Sequence, residues 1–322
     1  MRIIPRGMMR VTTMLSDATR VDEWLIEAEI KSVTLAHPPH KQKAVGDAYE
    51  FYEQEVRLAK LLGTAVADAA GKALEVYDEI TGLNGAIVSL KASPFNLAKQ
   101  LERLTPILQK SWNATTEKTV ASYISVITGI GAKRAGGWER FKKMQSRPLI
   151  EAGMVASSKY YTNNYFNRIV LPAMVGDINR KMEKGEPFDD TFYRALREKM
   201  DTRLKSVPYW RLVGNQAASR AYHYGLTRAG LASGYTGYQF VAVLDERTTQ
   251  VCRTLNGKTF WLADAVQRLE KLAKTDPAEM PNAAPWAVPS DVEGKDSDQL
   301  TKDGFSMPPL HAGCRSTVSL LR

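Results

Sequence analysis

The chain has 322 residues, with 44 Lys and Arg against 35 Asp and Glu, a net charge of +9. At 44% hydrophobic and 25% charged residues its composition is globular and its length suits two domains, which excludes wholesale disorder and fibrous repeats. Two cysteines exclude a disulfide scaffold, no apolar run reaches the length of a membrane-spanning helix, and Met1–Gly7 has charge without a following apolar run, so no export signal is expected.

Taken in chain order, the first two-thirds read as helical. His37 and His40, in His-Pro-Pro-His, read as a linking turn rather than a metal site. From 44 to 80, Phe51, Val56, Ala59, Leu62, Val66, Leu74 and Tyr77 fall near helical spacing, and Gly82 and Gly85 break the pattern. Pro94 suits a first helical turn ahead of Leu97, Leu101, Leu104 and Leu108. A basic stretch follows: Lys133, Arg134, Arg140, Lys142, Lys143 and Arg147 stand against Glu139 alone, with Trp138, Phe141 and Met144 between them. Such a stretch is either a track for a phosphate backbone, with Trp138 stacking on a base, or a solvated helix face anchored by Trp138 and Phe141. Pro148 opens a long helix, Pro172 predicts a kink or boundary, and further helices are expected over 189–204 and 208–232.

After Gly234 the character changes. The run Tyr238–Leu244 is β-branched and aromatic, predicting a strand buried on both faces. Asn256-Gly257 predicts a two-residue hairpin with positive φ at both centres. A helix over 261–274 comes next, then a turn-rich insertion, 275–309, holding six of the fifteen prolines, and a closing strand near Val318. The expected fold is α+β: a mostly α-helical region over 1–207, then a small α+β module over 208–322 with a β-hairpin.

Chemistry-bearing residues gather in that module. Cys252, His311 and Cys314 supply one nitrogen and two sulfurs, three of the four ligands of a tetrahedral zinc, with Asp245 as a candidate oxygen fourth. The same residues also read as two small buried thiols and a histidine satisfied by carbonyls. A third reading is a thiol hydrolase or zinc-assisted hydrolase using Cys252 and His311, although no group orienting the histidine and no oxyanion hole stands out. Asp245, followed by Thr248, suits a side chain accepting turn amides, with Arg247 and Arg315 as its ionic partners.

The order of these pieces is distinctive. A helix with Ser219-Arg220-Ala221 precedes Leu244-Asp245-Glu246-Arg247-Thr248, then Cys252, then Leu255-Asn256-Gly257-Lys258-Thr259-Phe260. After the insertion comes Pro308-Pro309-Leu310-His311-x-x-Cys314-Arg315. Over 208–322 this resembles the phage Mu protein F-like minor head proteins, the phage head morphogenesis family, with Asp245, Arg247, Thr248, Asn256, Gly257 and Arg315 as the structural motif. Members often carry further cysteines where Thr249 and Ser316 stand here. The resemblance implies a non-enzymatic minor capsid protein of a tailed phage, made in the host cytoplasm and built into the virion. It would act near the portal in head assembly, DNA packaging or DNA exit. Its implied partners are portal, scaffold or major capsid protein and packaged double-stranded DNA, with no membrane.

Overall fold

In the computed structural model, residues 51–83 and 94–322 are described; the readings of Met1–Gly7, His37 and His40 lie outside them. Helix α1 (Tyr52–Thr81) stops where Gly82 takes φ +73°, a left-handed conformation that favours glycine. Helix α2 (Pro94–Leu101) leads through a 3₁₀ turn into α3 (Thr105–Gln109), and Leu97, Leu101, Leu104 and Leu108 are all buried. Helix α4 (Ala114–Arg134) starts at Asn113, whose side chain accepts from the Thr116 N–H at 2.9 Å. The short α5 (Trp138–Phe141) and the long α6 (Ser146–Tyr165) follow.

A π-helical turn, Phe166–Val170, joins α6 to α7 (Leu171–Glu183). It answers the boundary expected at Pro172: proline has no N–H to donate back, so the helix widens for a turn instead of breaking. Helix α8 (Asp190–Leu204) begins at Asp189, which accepts from the Phe192 N–H at 2.9 Å. Helix α9 (Val207–Ala232) has 18 of its 26 residues buried. Its many Ala, Gly and aromatic residues are the pattern of a helix packed on most of its sides.

The remaining elements are β1 (Gly237–Val241), α10 (Gln250–Leu255), β2 (Thr259–Trp261), α11 (Leu262–Lys274), α12 (Met280–Ala283), α13 (Pro289–Val292), α14 (Ser297–Asp303) and β3 (Thr317–Leu321). The three strands form one antiparallel sheet in the order β2-β1-β3, with Tyr238 opposite both Phe260 and Leu320. The chain is therefore a mostly helical α+β protein.

Three details differ from the sequence reading. Strand β1 ends at Val241, and its burial alternates, because only one face of this small sheet is packed: Tyr238 and Phe240 are enclosed while their neighbours are half-buried. Asn256-Gly257 does not link two strands directly. Residues 250–255 are helical, with Thr249 accepting from the Cys252 N–H, and positive φ occurs at Gly257 (+86°) but not at Asn256 (−56°). The Asn256 side chain instead accepts from the Ala242 N–H at 2.9 Å, which seats this turn against the end of β1. Within 275–309, the prolines at 277, 281 and 289 sit in first turns of short helical pieces rather than in featureless loop.

By proximity the described chain divides into two units: 65–83, 94–111 and 162–208 in one, 51–64, 112–161 and 209–322 in the other. In the first, the Tyr77 hydroxyl donates to the Tyr193 carbonyl at 2.8 Å and Arg197 pairs with Asp78 at 2.6 Å. In the second, α4 and α9 meet backbone to backbone. A Cβ on Gly225 would lie 1.9 Å from the Thr128 carbonyl oxygen, and one on Gly131 would lie 2.1 Å from that of Tyr222.

Candidate metal centre

The second unit brings Cys252, His311 and Cys314 together. Cys252 lies on α10, placed by the Thr249 cap; His311 and Cys314 lie on the turn leading into β3, which pairs with β1. The Cys252 and Cys314 sulfurs are 3.9 Å apart, and His311 Nε2 is 3.0 Å from the Cys252 sulfur. The three ligand atoms all lie within 4.8 Å of one another. Tetrahedral zinc with Zn–S bonds of about 2.3 Å sets two sulfurs about 3.8 Å apart, so the thiol pair already has the spacing such an ion requires.

The protonation chemistry points the same way. His311 Nδ1 is 2.9 Å from the Ala312 carbonyl, so Nδ1 carries the proton and Nε2 keeps its lone pair for the sulfurs. The hydrogen bond from Cys252 and the adjoining His311 hold the Cys314 thiol well below its ordinary range. The partnership with Cys314, and then burial, push the Cys252 thiol up, while hydroxyls of Ser316 and Thr249 pull the other way. Burial opposes the proton on His311, but Cys314 outweighs it and the imidazole rises overall. Both thiols are enclosed, Cys252 at 2% and Cys314 at 1% exposure. A nucleophilic cysteine wants a sulfur open to substrate, and both of these are enclosed. The group (two sulfurs and one imidazole) could hold a metal ion.

Asp245 is not the fourth ligand. Both its oxygens are taken by Arg315, Oδ2 at 2.8 Å from Nη1 and Oδ1 at 2.5 Å from Nη2, and Oδ1 also accepts from the Arg247 N–H at 3.0 Å. The Arg247 side chain comes no nearer than 4.0 Å. Thr248 accepts from the Asp245 N–H at 2.8 Å, and Arg253 holds the Thr248 carbonyl at 3.1 Å. The loop 243–249 is thus a clamp whose carboxylate fixes the arginine next to Cys314.

The hydrogen bonds from Arg315 hold the Asp245 carboxyl down at about 2, against 3.8 ordinarily. The folded-state value is the lower, so the stabilisation is fully present above pH 4 and is lost as the pH falls towards 2. Asp245→Asn is expected to cost about 1–2 kcal/mol at pH 7, after discounting for partial solvent access. Urea unfolding of parent and variant should show that difference at pH 7 and its disappearance near pH 2. A constant difference across that range would remove the ion pair from the account.

Sequence reasoning missed the polar face of α9 beneath the cluster. Asn215 Nδ2 donates to Glu55 at 3.0 Å and lies 3.5 Å from the Cys314 carbonyl. Burial raises Glu55 to about 7. His223 is enclosed, its Nδ1 is 2.7 Å from the Ser219 carbonyl, its Nε2 has no partner among the described residues, and burial lowers it to about 4. The four-residue spacing of Asn215, Ser219, His223 and Thr227 in an otherwise small-residue helix was the available signal.

The basic stretch is spread over several elements. Lys133 and Arg134 end α4, Trp138 and Arg140 lie on α5, Lys142 and Lys143 follow it, and Arg147 is on α6. Arg147 pairs with Glu151 at 2.7 Å, Arg140 donates to the Ala232 carbonyl at 2.5 Å, and Lys142 pairs with Glu139. The Trp138 ring has the Arg147 guanidinium at 5.4 Å and the Lys133 ammonium at 5.7 Å, and it packs over Gly129. Among the described residues no helix is long and apolar enough to cross a membrane. Compared with known protein families, curated proteins and solved structures, the chain matches none.

Proposed function

We propose that residues 208–322 are a zinc-stabilised, non-enzymatic module, and that the chain is a minor head protein of a tailed phage acting near the portal. The observation that carries the first part is the closed Cys252–His311–Cys314 cluster. Its two soft thiols are buried, its half-buried imidazole is preset in tautomer, and the sulfurs are preset in spacing, while Asp245 steadies the turn through Arg315. Zinc bound there would supply a cross-link between α10 and the turn before β3. The second part is supported by the ordered motifs from Asp245 to Arg315, which resemble the Mu F-like head proteins.

The test is elemental analysis of the purified full-length chain, with thiol titration before and after chelation. One zinc per chain, and two thiols that react only once chelator is added, is the expected result. A metal-free chain with a fast-reacting Cys252 would replace this reading with a nucleophile. For the head role, mass spectrometry of purified particles of the encoding phage should find the protein in a few copies. Particles assembled without it and packed normally would overturn that role.

A further inference from the structure

Cys252 and Cys314 are the chain's two cysteines, and both are free and enclosed. Their sulfurs stand 3.9 Å apart although 62 residues separate them along the chain. Each therefore has the other as its one disulfide partner within the molecule. A disulfide holds its sulfurs about 2 Å apart, so the pair has about 2 Å to close. Its two sides differ in their freedom to move. Cys252 is fixed on α10 behind the Thr249 cap, whereas Cys314 lies in the stretch 304–316, which forms no helix or strand. Arg315 is clamped by Asp245, so the movement falls to the turn 311–314.

We propose that this pair is a modification site for peroxide, at which Cys252 and Cys314 are oxidised to an intramolecular disulfide. Two thiols and one hydrogen peroxide give one disulfide and two waters. One sulfur, as its thiolate, attacks a peroxide oxygen and the O–O bond breaks. A sulfenic acid forms, and the leaving hydroxide takes up the proton that this sulfur gave away. The second sulfur then attacks the first, the S–O bond breaks, and its proton leaves with the departing hydroxide as the second water. The sulfurs lose two electrons between them, and the peroxide gains both. His311 Nε2, 3.0 Å from the Cys252 sulfur, is placed to carry a proton between sulfur and hydroxide.

Enclosure selects both the oxidant and the product. Peroxide is little larger than water and reaches the sulfurs through a local opening beside His311, the half-buried member of the cluster. Glutathione is too large to follow, so the sulfenic acid meets the neighbouring thiol rather than a mixed-disulfide partner. The new bond joins α10 to the turn before β3. It is the same cross-link that a metal held by both sulfurs makes, and the two exclude each other. On the zinc reading above, oxidation therefore releases the ion while the module stays tied; the disulfide itself does not depend on that reading.

The experiment treats the folded full-length chain, before and after chelation, with hydrogen peroxide in the presence of glutathione. Intact mass, peptide mapping and a zinc-sensitive dye are the readouts. Expected is the loss of two hydrogen atoms per chain, a linked pair of peptides carrying Cys252 and Cys314, and reversal by dithiothreitol. The chain that holds zinc should release one ion per disulfide formed. Glutathione or oxygen adducts in place of the link, disulfides between chains, or thiols that stay free after chelation and peroxide would each overturn the proposal. A link formed in a chain that held no zinc would uphold the proposal and remove the zinc reading. Zinc bound by a chain whose thiols never link would overturn the proposal and leave the zinc reading standing.

Discussion

A Cys314→Ser variant is expected to hold no zinc and to melt about 10 °C below the parent. The Cys314 sulfur is 1% exposed, 3.9 Å from its partner thiol and set by the same turn that presents His311. Serine offers a hydroxyl that does not ionise in that setting, so one of two soft ligands is lost outright. Structural zinc contributes roughly 10–16 kcal/mol to small domains that fold only around it. This module also has a sheet and a buried helix, so about 3–5 kcal/mol is the expected share, at roughly 2–4 °C per kcal/mol for a domain of this size. Calorimetry with and without chelator checks it. The parent should fall to the variant's melting temperature on chelation, and the variant should not respond. A variant that keeps stoichiometric zinc would show that the site lies elsewhere.

Gly225→Ala should be similarly damaging by another route. Its new methyl group would meet the Thr128 carbonyl oxygen at 1.9 Å, and that oxygen belongs to α4's backbone, which cannot swing aside as a side chain does. The helices must part, and with them the Gly131 contact at Tyr222, so about 3 kcal/mol or more is expected. Gly131→Ala should cost a comparable amount, and the double variant less than the sum, because either change opens the same crossing. Gly71→Ala is the control. It is helical with nothing within 4 Å of the added atom, and should gain up to about 1 kcal/mol. Urea unfolding of the four chains decides it; a tolerated Gly225→Ala would mean the helices do not cross this closely.

Where the sequence was legible, the reason is local. The leucines after Pro94 and the small-residue run of 207–232 announce helices by spacing alone, and both are buried as that spacing requires. Cys252, His311 and Cys314 could be grouped because few other residues on the chain do their chemistry. The failures are tertiary. Asn256-Gly257 carries the composition of a hairpin turn, yet its flank is helical because the Thr249 cap and the buried faces of Val251, Cys252 and Leu255 decide the local conformation. Asp245 could not be excluded as a ligand until Arg315, 70 residues away, was seen to hold both of its oxygens. The approach of Gly131 to Gly225's helix likewise has no one-dimensional signature.

Strands β2 and β3 flank the same central strand, and the Cys252–His311 contact spans 59 residues. Both ends of the segment 262–316 are therefore hooked onto one frame, and its length does not enter the register of any ladder. Doubling a loop adds only about 0.6 kcal/mol of closure entropy. Changes in length are therefore cheapest in the stretch 275–307, between the buried face of α11 and the turn that carries His311, Cys314 and Arg315, since both of those belong to the frame itself.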